Sequence, residues 1–158
     1  MPGFDNQTYL WMLLASNLVA LLQLFAAIFW PRIARYSFVL LFAWACWMNW
    51  TTAISNPRAY LEYADLALFD WTRSFINGWF GRNTLLMVGF IATCQGIIAI
   101  GLMLKGWKFM VACIGGILFL LAIVPLGVGS GFPCSIIMAI ALTIILLKYG
   151  RREQLEKA

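Results

Sequence analysis

Trp47, Asn49, Arg73 and Gln95 bring hydrogen-bonding groups into or beside long apolar runs of this sequence. A carboxamide donates and accepts, an indole N–H donates, and a guanidinium donates from a fixed fork. A quinone head needs a donor at each carbonyl inside a mostly apolar slot with few polar groups, and these side chains are of the right types to supply one near a membrane interface. The same residue types also have a plainer use. Amides tie transmembrane helices together at about 0.6 to 2 kcal/mol each, and tryptophan anchors a helix at headgroup level. Interhelical bonding with interface anchoring is the weightier expectation. A quinone or bound lipid held by Trp47, Asn49, Arg73 and Gln95 is the alternative.

Other chemistries lack their parts. The chain has no histidine, which is the commonest metal ligand and the usual proton carrier near neutral pH, so neither a metal site nor haem is expected. Cys46, Cys94, Cys113 and Cys134 make no C-x-x-C pair, whereas a thiol-oxidising membrane enzyme needs paired cysteines near one surface. They read as small packing residues. The stretch PLGVGSGFP from Pro125 to Pro133 is rich in glycine but has no lysine and no Walker spacing, so it reads as a hinge. No resident cofactor is expected, and the balance is against an enzyme.

Composition defines the elements that must position these groups. Of 158 residues, 63% are hydrophobic and 11% charged, against roughly 25% charged in a soluble domain. That is an all-α membrane protein, built as one bundle because each crossing uses about 20 apolar residues. Five spans are expected, at about residues 9–30, 37–54, 84–104, 109–124 and 133–149. The first is too long for a signal-peptide core and has no basic residue before it, so it reads as a retained helix ending at Pro31. Arg32 and Arg35 are expected in the turn that follows. Gly89, Ala92, Gly96 and Ala99 give the third span a small-residue face on which another helix can approach closely. Gln95, alone and strongly polar at that depth, must find a partner in Asn49, a ligand carbonyl or a backbone group.

Pro57 redirects the chain out of the second span. From there Leu61, Ala64, Leu68, Trp71, Phe75 and Trp79 recur at helical steps, with Glu62, Asp65, Asp70, Arg73 and Asn77 between them. The pattern predicts an amphipathic interfacial helix over residues 58–80, with Asp70 and Arg73 close enough to pair.

The net charge of +5 raises nucleic acid as a partner, but the cations stand at the ends of apolar runs, where membrane topology places them. Nucleic acid is therefore not expected; lipids and other membrane subunits are. Arg32, Arg35, Lys105, Lys108, Lys148, Arg151, Arg152 and Lys157 fall on one side, and Arg58, Arg73 and Arg82 on the other. The positive-inside rule makes the first set cytoplasmic. The amino terminus and segment 58–80 are then periplasmic and the carboxyl terminus cytoplasmic, in a multi-pass protein of a bacterial inner membrane.

The stretch Ser55-Asn56-Pro57-Arg58-Ala59-Tyr60 and the later Gln95-Gly96-Ile97-Ile98-Ala99-Ile100-Gly101 resemble the DoxX-like family of small bacterial membrane proteins, over roughly residues 40–147. In that family a first helix ends in a proline-containing loop and a short outward-facing helical segment. The next helix carries an acidic residue followed by glycine and aliphatic residues. The resemblance implies a four-helix core with the first helix of this chain added to it, and some members resemble subunits of quinone-linked sulfur oxidation systems. Gln95 stands where glutamate is common and Asn49 near where lysine is often found, so two amides replace a membrane ion pair.

Charge inside a span usually marks a proton or ion pathway, and here every charge lies near a boundary. The leading expectation is an accessory or structural subunit of a larger membrane assembly, such as a respiratory one, without catalysis of its own. The alternatives are a quinone-interacting redox protein and a small-solute carrier, the latter without the duplicated half or broken mid-membrane helix common in transporters.

Overall fold

The computed structural model describes residues 7–155, and side chains through residue 150. The ordered elements among them are all helical. Helix α1 (Gln7–Phe29) leads into α2 (Pro31–Ser55) with only Trp30 between them. The Trp30 N–H still bonds back to Ala26 O at 2.7 Å, and Ala34 N–H bonds to Trp30 O at 3.1 Å. This corrects the expected turn over Arg32 and Arg35, which lie instead in the first turns of α2. Proline ends α1 as expected, yet the same residue starts α2: its fixed φ suits the first helical position, and its missing N–H would have had no partner there.

Helices α1 and α2, together with α5 (Thr84–Met103), are long and apolar enough to cross a membrane. At 1.5 Å per residue, the 23 residues of α1 extend about 34 Å, against a hydrocarbon core of about 30 Å. A fourth crossing results if α6 (Trp107–Ala122) and the 3-10 turn Val124–Ser130, bent by 80° from it, form one span. Helix α7 (Cys134–Leu155) is apolar over Cys134–Gly150.

Packing closes a ring. Helix α1 lies on α2 and α7, α2 on α5, α5 on α6, and α6 on α7. Phe38 and Phe42 of α2, Leu102 of α5, Phe109 and Cys113 of α6 and Leu142 of α7 are completely enclosed. The most extensive contact is α2 with α5, along the small-residue face: Trp50 lies over Gly89, and the Cys46 sulfur sits against Gly96. Ala92 and Ala99 are buried on that helix. Elsewhere the outer faces carry Leu, Ile, Phe and Trp exposed, as in a bundle solvated by lipid.

The expected single helix over residues 58–80 is replaced by a folded cap. It comprises a 3-10 turn (Pro57–Glu62), α3 (Tyr63–Leu66), α4 (Asp70–Phe75) and a π turn (Ile76–Phe80). The chain is extended at Ala67 and Phe69, and Leu68 N–H donates to Pro125 O at 3.1 Å. That bond to the 124–130 turn replaces the helical bond the periodicity called for. The apolar stripe therefore splits: Ala64 is buried, while Trp71, at 63% exposed, Phe75 and Trp79 face outward.

Gly127 makes this docking possible. Its φ is +62°, in the left-handed region, and a Cβ there would lie 2.6 Å from Leu66 O. Only glycine meets both conditions without strain.

Candidate functional site

Asn49 lies in the last third of α2 and Gln95 near the middle of α5. The close α2–α5 packing brings them together: Asn49 Nδ2 donates to Gln95 Oε1 at 2.8 Å. Gln95 is only 3% exposed, so its buried amide oxygen takes its hydrogen bond from protein rather than water. The cap adds a third member. Tyr60 O–H is within donating distance of Asn49 Oδ1 at 2.9 Å and of Asn49 O at 3.3 Å. A neutral chain of phenol and two amides thus runs from the cap into the bundle, joining α2, α5 and the segment between them.

Burial pushes the Tyr60 phenol above its ordinary 10.0, and the neighbouring Tyr63, its ring 6.1 Å away, adds repulsion. Tyr63 is raised for the same first reason, with Tyr9 and Glu62 contributing. Both phenols are protonated donors near neutral pH.

The other two sequence candidates do not join this chain. Trp47 is 61% exposed on the outer face of α2. Arg73 belongs to the cap, where its Nε donates to Ala64 O at 3.1 Å and its Nη1 lies 3.7 Å from Asp70. The ion pair has the expected i, i+3 spacing, but the Asp70 side chain is fully exposed, and such surface pairs add little stability. Arg73 is chiefly a tie within the cap.

The opposite end of the bundle holds contacts that sequence reasoning missed. Helices α1 and α5 have no basic residue in their last turns, yet their terminal carbonyls need donors. Arg35 of α2 supplies one end, with Nε to Leu102 O at 2.6 Å and Nη2 to Leu104 O at 2.5 Å. Its guanidinium also lies 4.4 Å from the centre of the buried Phe109 ring. Lys148 of α7 supplies the other, reaching Ala27 O at 3.3 Å and Ile28 O. Tyr149 accepts the Gly106 N–H at 2.7 Å, fixing the α5–α6 turn. Arg35 and Lys148, read from sequence only as markers of sidedness, are helix caps supplied by neighbouring helices. Arg151, Arg152 and Lys157 of the same charge set lie outside the described side chains.

Among the described residues no cluster of three or more metal-ligating side chains occurs. Asn17 Nδ2 donates to both Leu13 O at 2.9 Å and Gly131 O at 3.1 Å, linking α1 to the residues before α7. What the arrangement does chemically is hold neutral dipoles in register and neutralise helix ends. Comparison with known proteins finds no matching family model, no matching curated protein and no matching solved structure.

Proposed function

We propose that this chain is an accessory or structural subunit of a larger membrane assembly and carries out no catalysis of its own. The observation that carries the reading is the Tyr60–Asn49–Gln95 chain: the amide pair joining α2 to α5 at the centre of their contact is extended to the cap by a phenol that is protonated at neutral pH. Such groups hold helices together but do not carry protons as an intramembrane acid or base does. The cations Arg35 and Lys148 are likewise occupied with backbone carbonyls.

In this proposal the apolar part of α7 and the bent α6 unit both cross, which gives five spans in a bacterial inner membrane. The basic end faces the cytoplasm and the cap the periplasm, as the positive-inside rule requires. Under the DoxX-like reading α1 is an addition to a four-helix core, but one that packs on both α2 and α7 and so belongs to the wall of the bundle. The quinone and solute-carrier readings gain no supporting observation, since Trp47 and Arg73 stand apart from the amide pair.

Extraction in a mild detergent followed by identification of co-migrating proteins tests the proposal. Stoichiometric membrane partners are the expected result. A lone particle that retains a bound quinone, or shows a quinone-dependent spectral change, would overturn it.

A further inference from the structure

A groove of about 490 Å³ runs between α1 and α2 on the outer face of the bundle, within the range of roughly 300–1,000 Å³ typical of small-molecule sites. Its walls include Leu22 and Ala26 of α1 and Ile33, Leu40 and Trp44 of α2. Gln23 and Ser37 are the carboxamide and the hydroxyl in the lining. Gln23 is 5% exposed, and its Nε2 donates to Ser37 Oγ at 3.3 Å. Ser37 in turn lies 2.8 Å from Ala34 O, which takes the single hydroxyl proton. Ser37 can therefore only accept from Gln23, and this assigns the amide nitrogen to the Ser37 side. Gln23 Oε1 is left buried with no hydrogen-bond partner, an arrangement that hydrocarbon penalises.

We propose that this groove binds a long-chain alcohol: an apolar tail along α2 toward Trp44, and a hydroxyl that donates to Gln23 Oε1. The polarity of the orphan group decides the class. An oxygen acceptor calls for a donor, which excludes ester, ether and quinone carbonyl heads as its partner. The final glutamine torsion is broad, so a small rotation turns the oxygen toward a donor lying in the groove. Gln23 and Ser37 lie toward the basic end of the hairpin and Trp44 further along α2, so a head placed at Gln23 points its tail deeper into the bilayer. This site is separate from the Tyr60–Asn49–Gln95 chain and does not depend on the subunit reading.

The test uses the full chain in phosphatidylcholine vesicles, with dodecanol brominated at the tail end and the methyl ether of the same compound as probes. Quenching of Trp44 fluorescence is taken as the difference from a Trp44→Phe control. The alcohol should quench at about tenfold lower concentration than the ether, the value of one hydrogen bond. Gln23→Leu should remove that preference while leaving weak, equal quenching by both probes. Leu22→Phe, at a residue exposed in the groove wall, should weaken the alcohol without disturbing the bundle, and so covers the case in which Gln23→Leu fails to fold. Equal quenching by alcohol and ether in the unaltered protein would mean that any lipid tail fills the groove, and would overturn the proposal. Quenching by neither probe, as when another helix covers the groove, would overturn it equally.

Discussion

Gln95 is the residue on which the centre of the bundle turns. Its oxygen accepts from Asn49 at 2.8 Å, and replacement by leucine leaves the Asn49 amide N–H₂ without that partner. Gln95→Leu should lower stability in detergent by about 1–2 kcal/mol, read as a lower thermal midpoint with helix content unchanged. The chain of neutral groups also makes a prediction about pH. Tyr60 and Tyr63 hold their protons more tightly when folded, chiefly through burial. The unfolded chain therefore releases them first, near the ordinary 10.0. Their contribution is complete below that pH and is lost as pH climbs from there through the folded values. Thermal unfolding should show no loss from these phenols between about pH 6 and 9, a loss above 10, and a smaller loss in Tyr60→Phe. A decline centred near neutral pH would instead signal an ionisable group in the polar centre. The need for a partner at Gln95 was legible in sequence, since an amide at that depth cannot stay unpaired. Tyr60 was not, because a phenol beyond Pro57 meets Asn49 only after the cap folds back, and no spacing rule encodes that return.

At the scale of elements, close approach and end-capping decide the packing. A Cβ at Gly101 would lie 2.6 Å from Ala112 Cβ, and neither atom can turn away. Gly101→Ala should push α5 from α6 and cost about 1–3 kcal/mol. At Gly115 the nearest atom is Ile98 Cγ1 at 3.6 Å, an ordinary contact, so Gly115→Ala should be neutral or stabilise by about 0.5–1 kcal/mol through helix propensity. The two variants, compared in one thermal unfolding series, separate packing from propensity. Arg35→Ala removes charged donors from Leu102 O and Leu104 O and should cost about 1.5–3 kcal/mol. Arg35→Lys should recover only part, because an ammonium cannot reproduce the guanidinium fork. Faster hydrogen exchange confined to the last turn of α5 would locate the effect. Sequence periodicity marked α1, α2, α5 and α6 as apolar helices, since each is a sustained apolar run, but α2 begins at Pro31 rather than at residue 37. It failed over residues 58–80, where the Leu68–Pro125 backbone bond outweighs a helical stripe. It also failed at Arg32 and Arg35, where a proline taken as a stop serves as a start.

The whole molecule is a ring of helices with two unlike ends. One end is covered by an acid-bearing, aromatic cap; at the other, Arg35 and Lys148 from α2 and α7 close the carbonyl ends of α5 and α1. Most of its apolar outer surface is left for lipid or for other subunits, and the polar groups at its centre hold α2, α5 and the cap to one another. The apolar spans, the small-residue face and the separation of charge between the ends were all readable, because membrane solvation imposes them on composition. Nothing in the sequence separates a lipid-facing from a subunit-facing surface, since the two have the same chemistry. The central claim is that Asn49 and Gln95 bind helices rather than substrate. Replacing both by leucine removes the amide donor and acceptor together and leaves the Tyr60 hydroxyl with the backbone carbonyl of Asn49 at 3.3 Å, a change that should cost little stability. In cells depending on this chain, the double variant should accumulate, enter its assembly and support function in proportion to its abundance. A double variant present and assembled at normal levels, yet inactive, would contradict the account.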